Sequence, residues 1–297
     1  MNKRLGSRRR LNGSSMNWFY VPALLIMFFF LGVPLLNALR LSMYKWNGYS
    51  KNQIFIGLKN YADFLKDRNL RRAFTNTLLY GIGSTVIQNG LGLAAALFVD
   101  SKFKGHTVVR VFVYMPIMIA SLLMGYIVYY FVQFDHGILN EILGWFGKAP
   151  VDWLRNAKRA TWIITLVNGW QYCGNSMVIY LAGLQSIPAY YYEAAELDGS
   201  SVWQRFRYVT LPLLIPAITS AVVINLIGSL KLHDPIIALT NGGPALKTHS
   251  LSTYISYTYF QMERAGYSSA IGITMFVFIM VLAFIVNKYF RDREVEY

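Results

Sequence analysis

Side chains able to do covalent or metal chemistry are few in this sequence, and they do not converge. There is one cysteine, Cys173, and there are four widely spaced histidines, His106, His136, His233 and His249. No HExxH, no CxxC and no paired acidic cluster is present, so ligand spacing gives no metal site. No GxxxxGK[ST] phosphate loop exists either; the stretch Gly144 to Lys148 lacks its spacing and its hydroxyl residue. A lone thiol among apolar residues packs as a small hydrophobe. What does stand out is a set of amides and hydroxyls in apolar surroundings: Asn168, Gln171, Asn175, Asn225 and Ser229, with Asp234 just beyond. Tyr172 and Trp170 offer aromatic faces beside them. Such amides and hydroxyls are costly in apolar surroundings unless they meet a partner or a water-filled cavity, so they point to a packed bundle around a polar path. The same amides could instead bridge helices, the commoner use of an isolated amide in lipid.

The elements that carry these groups follow from where charge is missing. The chain has 297 residues, 55% hydrophobic and only 14% charged. Soluble domains carry roughly 25% charged residues, and disordered chains are more polar still. Six stretches without Asp, Glu, Lys or Arg are at least 23 residues long: 11–39, 73–99, 111–134, 160–192, 208–230 and 265–287. A membrane-spanning helix needs ~20 apolar residues. The runs therefore predict an all-α membrane protein with six transmembrane helices, Trp18–Leu39, Phe74–Val99, Val108–Phe131, Thr161–Leu184, Leu213–Leu230 and Tyr267–Tyr289. The division is a basic tail over 1–17, a six-helix domain over 18–290 and a short tail over 291–297.

Charge then orients the chain. Net charge is +14, a value that in a soluble protein would suggest nucleic acid. Here Lys3, Arg4, Arg8, Arg9 and Arg10 precede the first span directly, which keeps the N-terminus cytoplasmic and, after six spans, the C-terminus too. The total count does not help, with fifteen Lys and Arg on outside segments against thirteen inside. The outside excess lies in 57–72, read as one amphipathic helix on the membrane surface: Tyr61, Phe64 and Leu65 share a face while Lys59, Lys66 and Arg68 snorkel. Tyr190 to Tyr192 mark an interfacial belt.

On this orientation residues 186–212 form a cytoplasmic loop. Ser186 can cap a helix with Pro188 in its first turn, Gly199 can end it, and Ser201 with Gln204 makes a capping box for a second short helix. The first helix presents Glu193 and Glu196 around small Ala194 and Ala195. The pattern Glu193-Ala194-Ala195, three residues, Gly199, nine residues, Val209, one residue, Leu211-Pro212 resembles the EAA loop of binding-protein-dependent ABC importer permeases, with Val209 in place of the usual Ile. Further segments resemble the maltose-type sugar branch: Gly57-Leu-Lys-Asn-Tyr61 with Asn76-Thr77, Met115-Pro116, Gly137-Ile-Leu-Asn140, Leu239-Thr-Asn-Gly-Gly-Pro244 with Thr248, and Gly266-Tyr267 with Ala270. The resemblance spans about residues 18–290.

That resemblance implies the type I ABC importer permease fold in a bacterial or archaeal cell membrane. It implies a second homologous permease, two ATPase subunits that hold the ATP and Mg, and an extracellular or periplasmic solute-binding protein. No cofactor or metal then sits on this chain, and no nucleic acid is a partner. Glu193, Ala194, Ala195, Asp198 and Gly199 become ATPase-docking residues, and Thr240, Gly242, Gly243 and Pro244 an outer mouth that meets the binding protein. The substrate path takes Asn168, Gln171, Tyr172, Asn175, Asn225, Ser229 and Asp234. A neutral sugar or oligosaccharide is favoured because no basic residue lies inside a span; a glycerol phosphate or another small polar solute is the alternative. A membrane enzyme would need convergent carboxylates, histidines or a nucleophile within the spans.

Overall fold

A computed structural model describes residues 20–101 and 103–294. The expected N-terminal tail, residues 18 and 19 of the first span, Lys102 and the last three residues lie outside the described part. The described residues form a helical bundle with one hairpin of two-residue strands, β1 (Tyr44–Lys45) against β2 (Ile54–Phe55), antiparallel with Tyr44 opposite Phe55.

Three helices among the described residues are long and apolar enough to cross a bilayer: α1 (Tyr20–Leu41), α3 (Arg68–Asp100) and α14 (Ala265–Arg291). They are the expected first, second and sixth spans. The segments expected as the third, fourth and fifth spans are not single helices of spanning length. The third is α4 (His106–Met118) followed by α5 (Ser121–Val132), bent by 100°. Pro116 lies in a tight turn there, and Ile119 and Ala120 are extended, so the helical ladder stops and restarts. The expected fifth span, Leu213–Leu230, is α11 (Ile215–Leu230), which follows α10 (Val202–Leu213) at a bend of 66°. Pro212 and Pro216 each remove a ladder donor around Leu214. The fourth is α7 (Ala157–Gln171) and α8 (Cys173–Ser186), parted at Tyr172.

The segment 57–72 also differs from the single surface helix expected. It is a short α2 (Lys59–Asp63), a turn, and the start of α3. Asp67 makes the break: its Oδ1 accepts from the N–H groups of Asn69 and Leu70 at 2.9 and 3.0 Å, which starts a new helix. Its Oδ2 accepts from the hydroxyls of Tyr254 and Tyr267, both at 2.9 Å. Burial opposes the Asp67 charge, but these donors prevail and hold its carboxyl below the usual range. Phe64 packs inward while Leu65 is exposed.

Beyond these, α6 (Ile138–Trp145), α9 (Ala189–Leu197), α12 (Asp234–Thr240) and α13 (Leu251–Phe260) complete the order. Three apolar clusters hold the bundle. Leu70, Leu226, Tyr254 and Ile271 join α3, α11, α13 and α14. Ala96, Met177, Leu184 and Ala221 join α3, α8 and α11. Tyr80, Val132, Ile164 and Ile236 join α3, α5, α7 and α12. Where α3 meets α8, a Cβ on Gly92 would come within 2.4 Å of Ser176 Cβ and 2.9 Å of the Cys173 carbonyl, so only glycine allows this approach. Cys173 is buried in that contact as a packing residue.

Candidate functional site

Five of the seven expected path residues line one cleft of about 260 Å³: Asn168, Tyr172, Asn225, Ser229 and Asp234. It opens where α7, α11 and the start of α12 converge on the middle of α3. The break at Tyr172 and the ends of α11 and α12 leave this space, so the polar residues sit where the ladders are interrupted.

Much of its hydrogen-bonding capacity is already used. Gln88 Nε2 donates to the Asn168 carbonyl and to Ser229 Oγ, each at 3.2 Å, and Asn168 Nδ2 donates to the same Ser229 Oγ at 3.2 Å. Asn225 Nδ2 donates to Ser176 Oγ at 2.6 Å. These buried amides therefore tie α3, α7, α8 and α11 together while presenting an edge to the cleft. His233 Nδ1 lies 3.1 Å from Asp234 Oδ1, and its Nε2 is 3.2 Å from Ser256 Oγ. Ser121, Lys231 and the ring of Tyr172 complete the wall.

Gln171 and Asn175 do not line this cleft, and Trp170 lines a separate apolar groove. Gln171 is fully buried and donates through Nε2 to the Ile119 carbonyl at 3.0 Å. It satisfies a backbone group freed by the bend between α4 and α5. Four polar residues of the cleft were missed. Gln88 carries the same signal as Asn168, an amide within a charge-free run. Ser121, Lys231 and His233 join the wall only because the helices break beside them, which run lengths do not reveal.

The loop after α8 forms an elbow of α9 and α10 at the turn 198–201. Gly199 has φ +75°, the left-handed conformation that ends α9, and its N–H donates to the Glu196 carbonyl at 3.0 Å. The capping box is complete: Ser201 N–H donates to Gln204 Oε1 at 2.8 Å and Gln204 N–H to Ser201 Oγ at 3.3 Å. The expected Ser186 cap is replaced; Pro188 occupies the cap position and Ser186 Oγ bonds back to the Gly183 carbonyl at 2.7 Å. Glu193, Ala194, Asp198 and Gly199 are exposed and Ala195 half-buried. Apolar side chains stand out beside them: Leu197 is 90% exposed, Val202 75% and Trp203 69%.

The Thr240–Pro244 segment is more than a surface turn. Thr240 Oγ1 is 2.8 Å from Thr248 Oγ1, which also donates to the Gly243 carbonyl at 2.7 Å. Gly242 has φ +81°, and a Cβ there would fall within 2.1 Å of the His249 ring. Helix α3 grips the far side: Asn76 Nδ2 donates to the Lys247 and His249 carbonyls at 2.8 and 2.9 Å, and Tyr80 hydroxyl to the Thr248 carbonyl at 2.8 Å. His249 is buried, its Nδ1 3.0 Å from Thr253 Oγ1, and burial pushes its pKa down to about 4.

A broken bundle with a polar cleft and an exposed helical elbow matches known proteins. Residues 88–295 fit the family described as the binding-protein-dependent transport system inner membrane component. The chain belongs to this family. It is 32% identical over 282 residues, 94% of this chain and 95% of the relative, to a protein of Thermoanaerobacterium thermosulfurigenes described as a probable starch degradation products transport system permease. It is 29% identical over 295 residues, 99% of this chain and all of the relative, to the trehalose/maltose transport system permease protein of Thermococcus litoralis. A bacterial ABC transporter for import of the acidic polysaccharide alginate superposes with TM-score 0.81 at 26% identity, covering 93% of this chain and 95% of that one. In the complex of a bacterial alginate transporter with an alginate pentasaccharide-bound periplasmic protein the score is 0.77 at 25% identity, covering 93% and 92%. The chain is thus a multi-pass permease of the inner membrane with the type I importer fold.

Proposed function

We propose that this permease forms, with a second homologous permease, the translocation path for a sugar or oligosaccharide delivered by a solute-binding protein. Two separate ATPase subunits hold ATP and Mg and dock on the elbow of α9 and α10. The observation that carries this reading is the elbow: a rigid turn fixed by Gly199 and a capping box, holding Leu197, Val202 and Trp203 in the open beside Glu193 and Ala194. Exposed apolar groups rimmed by charge mark a protein contact. A shift of the elbow is transmitted through α10 and the Leu214 bend into α11, which carries Asn225 and Ser229 at the cleft. Among the relatives, those described as starch-product and trehalose/maltose permeases support a sugar substrate. The Thr240–Pro244 turn, built as a stiff knot, contacts the binding protein at the outer mouth.

Uptake reconstituted with the complete transporter tests this. Glu193→Lys is expected to abolish sugar-stimulated ATP hydrolysis and release the ATPase while the permease stays in the membrane. Normal coupling in that variant would remove the docking assignment. Sugar flux through vesicles holding this chain alone would refute the subunit reading.

A second reading of the substrate has its own observation. Lys231 lines the cleft, so a basic group does reach the path despite the charge-free runs. An anionic solute, a glycerol phosphate or an acidic saccharide, would use it. Lys231→Gln separates the two: it weakens uptake of an anionic solute and leaves a neutral oligosaccharide unaffected.

A further inference from the structure

A second concavity, distinct from the path, lies between α5 and α7. It has a volume of about 440 Å³, and every side chain lining it is aliphatic, Met or aromatic, including Ile127, Phe131, Ile163, Leu166 and Trp170. Ile127, Phe131, Leu166 and Trp170 are each about half exposed, so the groove opens sideways out of the bundle. An open apolar groove on a membrane helix pair accepts hydrocarbon at little cost.

The end of the groove is different in character and is rigidly built. Buried Asn140 staples the chain there. Its Nδ2 donates to the Phe134 and Val151 carbonyls at 3.1 and 3.0 Å, and its Oδ1 accepts from Val151 N–H and Trp153 Nε1, both at 3.0 Å. Trp153 thereby forms the groove's roof. The Arg159 guanidinium lies 5.7 Å from the Trp153 ring centroid. On α7, Arg159 is one turn before Ile163, with Leu166 and Trp170 following along the same face. Arg155 and Lys158 flank it, and all three cations are exposed. None of the three is in an ion pair with a carboxylate among the described residues. The first turn of α7, capped by Asn156, adds its partial positive charge at the same place.

We propose that this groove binds an anionic phospholipid, its acyl chain along Ile163, Leu166 and Trp170 and its phosphate held by Arg159, Lys158 and Arg155. The apolar floor and the cationic rim lie on one helix in the order in which a phospholipid presents tail and head. Trp153 at their boundary fits the interfacial preference of an indole. The site regulates or stabilises the wall that α5 and α7 lend to the bundle, and it is independent of which solute is carried.

Native mass spectrometry of the complete transporter, exchanged into detergent with equal phosphatidylglycerol and phosphatidylcholine, tests this. The wild-type protein is expected to retain phosphatidylglycerol selectively. Each cation near a membrane surface contributes about five-fold in anionic-lipid affinity, so K158Q/R159Q is expected to lower that retention by about twenty-five-fold relative to phosphatidylcholine. Lys148→Gln, outside the rim, is expected to change nothing. A second measurement needs no variant: phosphatidylglycerol with a photoreactive acyl chain is expected to label peptides 119–132 and 153–170. Unchanged selectivity in K158Q/R159Q, or labelling elsewhere only, would overturn the proposal. So would a disulfide formed in high yield between Leu166→Cys and the second permease, because the groove would then be the seam between subunits.

Discussion

At the level of single residues, the positions that matter most are those with one permitted chemistry. Gly199 has nothing within 4 Å of where its Cβ would be, yet its φ is +75°. A side chain there meets no steric neighbour and is penalised only through the backbone, by about 1–2 kcal/mol. Gly199→Val is therefore expected to lower the melting temperature slightly and to reduce coupled ATP hydrolysis strongly. Equal loss of both would mean that the glycine is only a helix stop. Thr248 is the converse case, buried and bonded to Thr240 and Gly243. Thr248→Val keeps its shape, removes both bonds and is expected to cost about 1–3 kcal/mol, read as a drop in the denaturation midpoint. Gly199 and the Ser201–Gln204 capping box were legible in the sequence because turn chemistry is local, whereas Ser186 lost the cap position of α9 to Pro188. Gln171 was not: it was legible as a costly amide, but its partner, the Ile119 carbonyl, exists only because a helix 52 residues away bends.

Elements were legible as apolar runs but not as shapes. Charge-free length located α1, α3 and α14, each long enough to cross alone, and the bent pairs α4–α5 and α10–α11, but not the bends themselves, because run length records hydrophobicity and is blind to the hydrogen-bond ladder. Pro116, Pro212 and Pro216 were available signals for two of the breaks. The break at Tyr172 has no proline and could not be read. Such breaks put backbone and amides at the cleft, as expected where irregular backbone lines a cavity. The knot after α12 brings a pH dependence of its own. Buried His249 must stay neutral in the fold, with its pKa near 4. The unfolded chain binds that proton from about pH 6.5 downward. The unfolded state therefore gains protons first, and stability falls as pH drops from about 6.5 towards 4. His249→Gln is expected to flatten this slope between pH 7 and 5 in detergent melting curves, whatever its effect on the absolute midpoint. Asp67 acts in a lower window: its carboxyl is held below the usual range, so its contribution is intact above pH ~4 and is lost only on further acidification.

On the scale of the molecule, the most unusual feature is how little of α1 touches the rest of the chain. None of its apolar core window is buried, and Leu24 to Leu31 are all well exposed. Only its C-terminal part, Val33–Leu41, packs on α14. A helix this apolar can be covered by lipid alone, so its exposure does not threaten the fold of the bundle. It does offer a free surface to a second permease. The three core clusters contain no residue of α1, so shortening its exposed side chains deletes none of the contacts that close the bundle. Leu25→Ala with Phe29→Ala, both on exposed positions, keeps a span long enough to cross the bilayer and is expected to leave the melting temperature of the detergent-purified chain within about 2 °C, a surface-sized change of under ~0.5 kcal/mol. The same pair is expected to reduce co-purification of the second permease. If the melting temperature falls sharply instead, α1 packs on its own bundle and the partner-facing reading of this helix fails. If both are unchanged, lipid is its only neighbour and the subunit contact lies elsewhere on the bundle.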